Sequence, residues 1–172
     1  MTAINEALDF FRNNNWEHML GLIHAHEVPA LVQFLVYAIC GGLATAVYVG
    51  VSLALSHTLI PAMDGMSVNG VPLTHGHRAR NALINNCIAF LIANAVGYIT
   101  NVMFVFKSGR HTPVMEFLLF TVGNCVAFLI SQFAGPYLIK RFGMKTIHAL
   151  MTNVVASMLL NFVIRKYIVF KG

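Results

Sequence analysis

Charge is scarce in this sequence. Only 10% of its 172 residues are Asp, Glu, Lys or Arg, where a soluble domain carries about 25%, and 58% are hydrophobic. That balance excludes an ordinary soluble domain and marks a membrane protein of one domain's length. Carboxylates are few, six in all, and they are scattered with no Asp-x-Asp among them. The acid cluster with which a metal-dependent glycosyltransferase holds a cation against a nucleotide diphosphate is therefore missing. So is the intramembrane acid of a proton-coupled multidrug exporter, because Glu116 lies at the edge of an apolar run and the other five acids lie outside such runs. No catalytic activity is expected. Cysteine is limited to Cys40, Cys87 and Cys125, all inside apolar runs, which excludes a disulfide framework and leaves them as small packing residues. The histidine pairs His24/His26 and His75/His77 lack the ligand spacing of a structural metal site and read as solvated loop or interfacial residues. Neither a metal nor another cofactor is expected, and no nucleic-acid partner.

The few charges present are segregated. None falls between Glu27 and Asp64, Arg80 and Lys107, Glu116 and Lys140, or Lys145 and Arg165. Each gap supplies the roughly 20 apolar residues that cross a hydrocarbon core of about 30 Å, or very nearly so. Four transmembrane spans follow, over residues 30–57, 81–106, 116–139 and 146–169. The N-terminus does not read as a cleaved signal, since Glu6 and Asp9 accompany a single Arg and the first long apolar run begins late. Residues 1–29 instead mix Leu8, Phe10, Phe11, Trp16 and Ile23 with charged and amide side chains, the pattern of an amphipathic helix lying in the membrane interface. The run Arg12 to Asn15 should bend or break it. The expected protein is all-α: an interfacial N-terminal helix at 1–29 and a four-helix transmembrane domain at 30–172.

Two spans end alike. A shift of 64 lays Val105, Phe106 and Lys107 over Val169, Phe170 and Lys171, and Asn101 over Arg165. Stepping back by four gives Asn85, Ala89, Ala93, Gly97, Asn101 in the second span and Ala149, Asn153, Ser157, Asn161, Arg165 in the fourth. Small residues on such a face let helices approach closely. Polar ones need partners out of water, which singles out Asn153, Asn161 and Arg165 as more than packing. A weaker shift of 83 lays the run from Phe34 over that from Phe117, so the chain reads as two helical hairpins forming parallel repeats, the first with 19 extra residues in its connection. In the first span, Ala38, Gly42, Ala46 and Gly50 make a further small stripe, suited to contact within the chain or between copies.

The opening "FLVYAICGGLATAVYVGV" from Phe34, the paired hairpins, "NVMFVF" closing the second span and "RKYIVF" closing the fourth are similar to the GtrA-like membrane proteins over roughly residues 34–170. That resemblance implies a four-span protein of the bacterial inner membrane, with both termini cytoplasmic, that moves a polyprenyl-phosphate-linked sugar across the bilayer for cell-surface polysaccharide synthesis. Asn101, Phe104 and Phe106 match the family's ending of the second span, whereas Val102 and Met103 stand where basic residues are usual, so the headgroup site falls to the second copy. There Arg165 can grip phosphate oxygens with its planar fork and Lys166 adds a point charge, or the two anchor the helix end by snorkelling. Asn161 and Asn101 can hydrogen-bond phosphate or sugar. Tyr98, Phe104 and Tyr167 are placed to pack on a sugar face or on the first isoprene units, or serve as interfacial belt residues. Six basic residues flank the terminal side of the spans and five the other, which does not decide orientation by itself. Four spans make a thin wall around a sugar, so a homo-oligomer, most simply a dimer, is expected. The alternative is a non-transporting adaptor that recruits or stabilises a membrane glycosyltransferase.

Overall fold

A computed structural model of the chain describes residues 2–142 and 146–170, with side chains outside the description at 128–129, 131–142, 146–151, 153–154 and 157. In chain order come α1 (Ala3–Asn13), α2 (Trp16–Ala25), α3 (Ala30–His57), a short hairpin of β1 (Ser67–Val68) and β2 (Val71–Pro72), α4 (His75–Phe104), α5 (Pro113–Phe142) and α6 (Thr146–Ile164). A π-helical turn, Arg165–Val169, continues α6. The chain forms two compact units, Met1–Ala38 with Asn101–Gly172, and Ile39–Thr100.

In the first of these units the N-terminal segment is two helices, not one. Two consecutive asparagines make the break, each in extended backbone. The Asn14 side chain donates to the Phe10 carbonyl (2.8 Å) at the end of α1, and Asn15 Oδ1 accepts the His18 amide (2.9 Å) at the start of α2. Asparagine suits both tasks because its short side chain satisfies backbone groups that a helix end leaves open. His26 closes α2 in the left-handed region (φ 60°), with its amide and that of Glu27 returning to the Ile23 and Leu22 carbonyls. Ala7 and Phe10 of α1 bury against Val32 of α3, with Met19, Leu22, Val28, Leu31 and Val36 around them. Ile4, Leu8 and Phe11, spaced by four and three, stay exposed on the other side of α1, as does Trp16 of α2.

The other unit joins the rest of α3 to most of α4. Ser52 donates to Asn86 (2.8 Å), Asn85 donates to Ser56 Oγ (2.9 Å), and the Cys40 thiol faces the Thr100 carbonyl (3.8 Å). Beyond α3 the carbonyls of Ile60, Pro61 and Ala62 are taken by Asn85, Asn81 and Arg78 (2.9, 2.7 and 3.4 Å), which share one face of α4. Those bonds, with Thr74 Oγ1 accepting the His77 amide (3.3 Å), start α4 at His75, six residues before the expected Asn81. His75 and His77 therefore sit in a helical first turn and not in a loop. The Arg78–Asp64 ion pair (2.5 Å) adds little, since Asp64 is 91% exposed.

The all-α expectation needs one correction, the β1–β2 hairpin within the extra connection. Asn69 (φ 52°) and Gly70 (φ 78°) supply the two positive φ angles of a tight turn between Val68 and Val71. The α4 ladder Asn85, Ala89, Ala93, Gly97, Asn101 is buried at every position. Its counterpart in α6 is described only at Asn161 and Arg165; the side chains of Ala149, Asn153 and Ser157, and Lys171 of the repeated ending, lie outside the described residues. The α3 stripe is open: Gly42, Ala46 and Gly50 are exposed, and a Cβ on either glycine would meet nothing within 4 Å. Cys87 and Cys125 are exposed as well, so of the three cysteines only Cys40 packs inside the chain. Helix α3 has 28 residues, about 42 Å at 1.5 Å per residue, and α4 has 30. Both are long and apolar enough to cross a bilayer.

Candidate functional site: the end of the last helix

Both repeated endings stop in the same way. Helix α4 closes when the Asn101 carbonyl accepts the amides of Val105 (3.0 Å) and Phe106 (2.8 Å), the second reaching five residues instead of four. Sixty-four residues later the Arg165 carbonyl accepts the Phe170 amide (2.9 Å), again over five residues. This local widening turns Val105/Val169 and Phe106/Phe170 inward, and all four are buried. The rings of Phe106 and Phe170 stack 5.2 Å apart and 8° from parallel. The two copies thus meet ring to ring in one unit.

Arg165 heads the second ending. Its guanidinium lies 4.0 Å from the Phe120 ring centroid and 5.1 Å from that of Tyr37, and Nη2 donates to Asn124 Oδ1 (2.5 Å). The residue is 8% exposed. In a desolvated setting a cation over an aromatic face is stabilised by about 2 kcal/mol, which helps hold a charge that would otherwise leave for water. Snorkelling is not what this side chain does. Lys166 turns elsewhere: its ammonium donates to Gln33 Oε1 (2.8 Å) and lies 5.7 Å from the Phe162 centroid, while Gln33 Nε2 donates to the Val105 carbonyl (2.7 Å). One amide thereby ties the start of α3 to both repeated endings. Phe162 completes the wall, packing on Phe34, Tyr37 and Phe106. One turn before Arg165, Asn161 Oδ1 is buried and accepts no hydrogen bond among the described residues.

The remaining expected site residues are placed less uniformly. Asn101 is buried at the matching point of the first ending. Phe104 packs edge-on against His24 of α2 (4.9 Å), so its ring serves the N-terminal helices and not the Arg165 cluster. Tyr167 is 62% exposed, and its carbonyl accepts from Arg110 of the loop before α5. Tyr98 belongs to the other unit. Of the paired histidines, His24 meets the Leu20 carbonyl, His26 that of Val102, and His77 Nδ1 the Thr74 hydroxyl. Five contributors were not foreseen, Gln33, Tyr37, Phe120, Asn124 and Phe162. A signal existed for two of them, since the shift of 83 lays Tyr37 over Phe120, and these repeat-related rings flank one guanidinium.

The arrangement offers groups that an anion can use: a fork-shaped cation against an aromatic wall, a hydrogen-bonding amide, and a point cation one residue on that is held by Gln33. The family described as GtrA/DPMS, transmembrane domain, matches residues 36–170. The chain belongs to this family. No curated protein and no solved structure matches it. As a GtrA/DPMS protein it is a membrane protein with a role in handling polyprenyl-phosphate sugars. The matched region holds Tyr37, Phe106, Phe120, Asn124, Asn161, Arg165 and Lys166, and leaves out α1, α2 and Gln33.

Proposed function

We propose that this GtrA/DPMS protein flips a polyprenyl-phosphate-linked sugar across the bacterial inner membrane, supplying cell-surface polysaccharide synthesis, and performs no catalysis. The observation that carries the proposal is Arg165, a buried guanidinium against two aromatic rings at a helix end, followed by a lysine and preceded, one turn earlier, by Asn161, whose buried amide oxygen has no hydrogen-bond partner among the described residues. A phosphodiester offers only acceptors, which Arg165 answers, joined by Lys166 when its ammonium exchanges Gln33 for the ligand; the adjoining sugar offers hydroxyl donors, which Asn161 Oδ1 answers. The polyprenyl tail stays in lipid. Without an acid deep in a span to carry protons, net movement follows the gradient between synthesis on one face and consumption on the other.

In this reading α5 and α6 with its π turn complete four spans, the hairpins are parallel repeats, and the protein works as a homodimer. The exposed Gly42, Ala46 and Gly50 favour the alternative reading, a non-transporting adaptor that recruits or stabilises a membrane glycosyltransferase. Purified full-length protein in vesicles, given farnesyl phosphoglucose, separates the two. A flippase speeds exchange of the lipid between leaflets over protein-free vesicles, and an unchanged distribution sinks the transport proposal.

Two placements follow. Both termini are cytoplasmic, so a reporter fused at the C-terminus should be active in the cytoplasm; periplasmic activity would reverse the orientation. The exposed Ile4, Leu8, Phe11 and Trp16 enter the lipid interface, so deleting residues 2–26 should weaken membrane association or partner binding while the spans still insert. Failure of all insertion would show that α1 and α2 are part of the membrane-embedded core.

A further inference from the structure

Glu116 was expected only as an acid at the edge of a span. In the structure it is 1% exposed, in the first turn of α5. Its Oε1 accepts three successive backbone amides, those of Gly109 (2.8 Å), Arg110 (3.1 Å) and His111 (3.4 Å). Three amides converging on one carboxylate oxygen curl the loop between α4 and α5 into a fixed shape, with Gly109 at φ 109° where a side chain would be strained. The same loop then reaches the end of the chain. Arg110 donates to the carbonyls of Tyr167 and Phe170, and His111 Nε2 donates to that of Ile168 (3.2 Å). The end of a helix leaves such carbonyls without intrahelical donors, and a basic side chain is the favourable group to meet them.

We infer that Glu116 is a positioning residue for Arg165: by shaping the loop 109–111 it holds Arg110 and His111 against the π turn, and so sets the direction in which the guanidinium is presented. This rests on the reading of Arg165 as the phosphate-binding group. The repeat gives the inference a second support. The shift of 83 lays Gln33 over Glu116, and Gln33 likewise joins the start of an odd helix to a repeated ending, through Lys166 and the Val105 carbonyl. In both hairpins the residue just before the leading Phe is a clasp. Glu116 serves backbone amides where Gln33 serves a lysine, because Val102 occupies the position that matches Lys166.

The test uses the full chain in detergent micelles, farnesyl phosphate as the probe, and amide hydrogen exchange as a readout of local structure. Glu116→Ala should raise exchange at residues 109–111 and at Phe170, with α3 and α4 still protected, and weaken probe binding about tenfold. Arg110→Ala cuts the link on the other side of the loop and should weaken binding comparably, and the double variant should lose little more than either single one. In an Arg165→Ala background, Glu116→Ala should change affinity no further. Additive losses, or an affinity loss from Glu116→Ala that persists without Arg165, would overturn the positioning role. If Arg165→Ala alone leaves affinity intact, the headgroup reading fails, and with it the claim that Glu116 positions a phosphate ligand. Exchange at Phe170 would in that case still decide whether Glu116 holds the turn.

Discussion

Replacing Arg165 by Ala is expected to weaken binding of farnesyl phosphoglucose by about 2–5 kcal/mol, the cost of removing one partner from a buried charge-to-charge contact. Transport should disappear with it. The guanidinium lies between Tyr37 and Phe120, so Ala leaves a gap as well as removing charge, and a second variant is needed to separate the two effects. Arg165→Met keeps most of the side chain's length against the rings; it should restore thermal stability but not binding. Arg165→Lys should recover part of the affinity, because an ammonium retains the charge without the two-pronged fork. Affinity is measured for all four proteins at matched oligomeric state. Equal values for Arg, Lys and Met would remove Arg165 from the site and return it to a structural role.

The second large effect is on stability. Phe106 and Phe170 are each 0% exposed and stack on one another. Removing either ring should cost about 3–5 kcal/mol, since the surrounding helix ends are pinned by backbone hydrogen bonds and collapse only partly into the space. Lipid tails give no relief at a position closed off by protein. The losses should not add, because a second truncation forfeits a stack that the first has already broken, a coupling of about 0.5–1.5 kcal/mol. Thermal unfolding in detergent measures both points. If the double variant loses the full sum, the rings pack independently and the two endings are not joined through them.

The sequence by itself determined the membrane class, the limits of α3, the break in the N-terminal segment and the equivalence of the two endings. Each rests on a local contrast. Charge-free intervals are bounded by charges, asparagines interrupt a helical pattern, and Val-Phe-Lys recurs after 64 residues. Where contrast ran the wrong way the reading erred: Arg78 and Arg80 looked like loop charges, yet Arg78 belongs to α4 because its side chain takes a carbonyl from the preceding connection. Which apolar residues face the site was left to tertiary structure. In water a buried face is apolar and an exposed one polar, so periodicity gives direction; in lipid both faces are apolar, and Tyr37 and Phe120 look no different from Tyr98, Phe104 or Tyr167. Beyond the pairing of Tyr37 with Phe120 under the shift of 83, only packing tells them apart. Glu116 shows the same limit for a polar residue, since its partners are backbone amides, which every sequence possesses and none displays; folding of the 109–111 loop brings them to one oxygen.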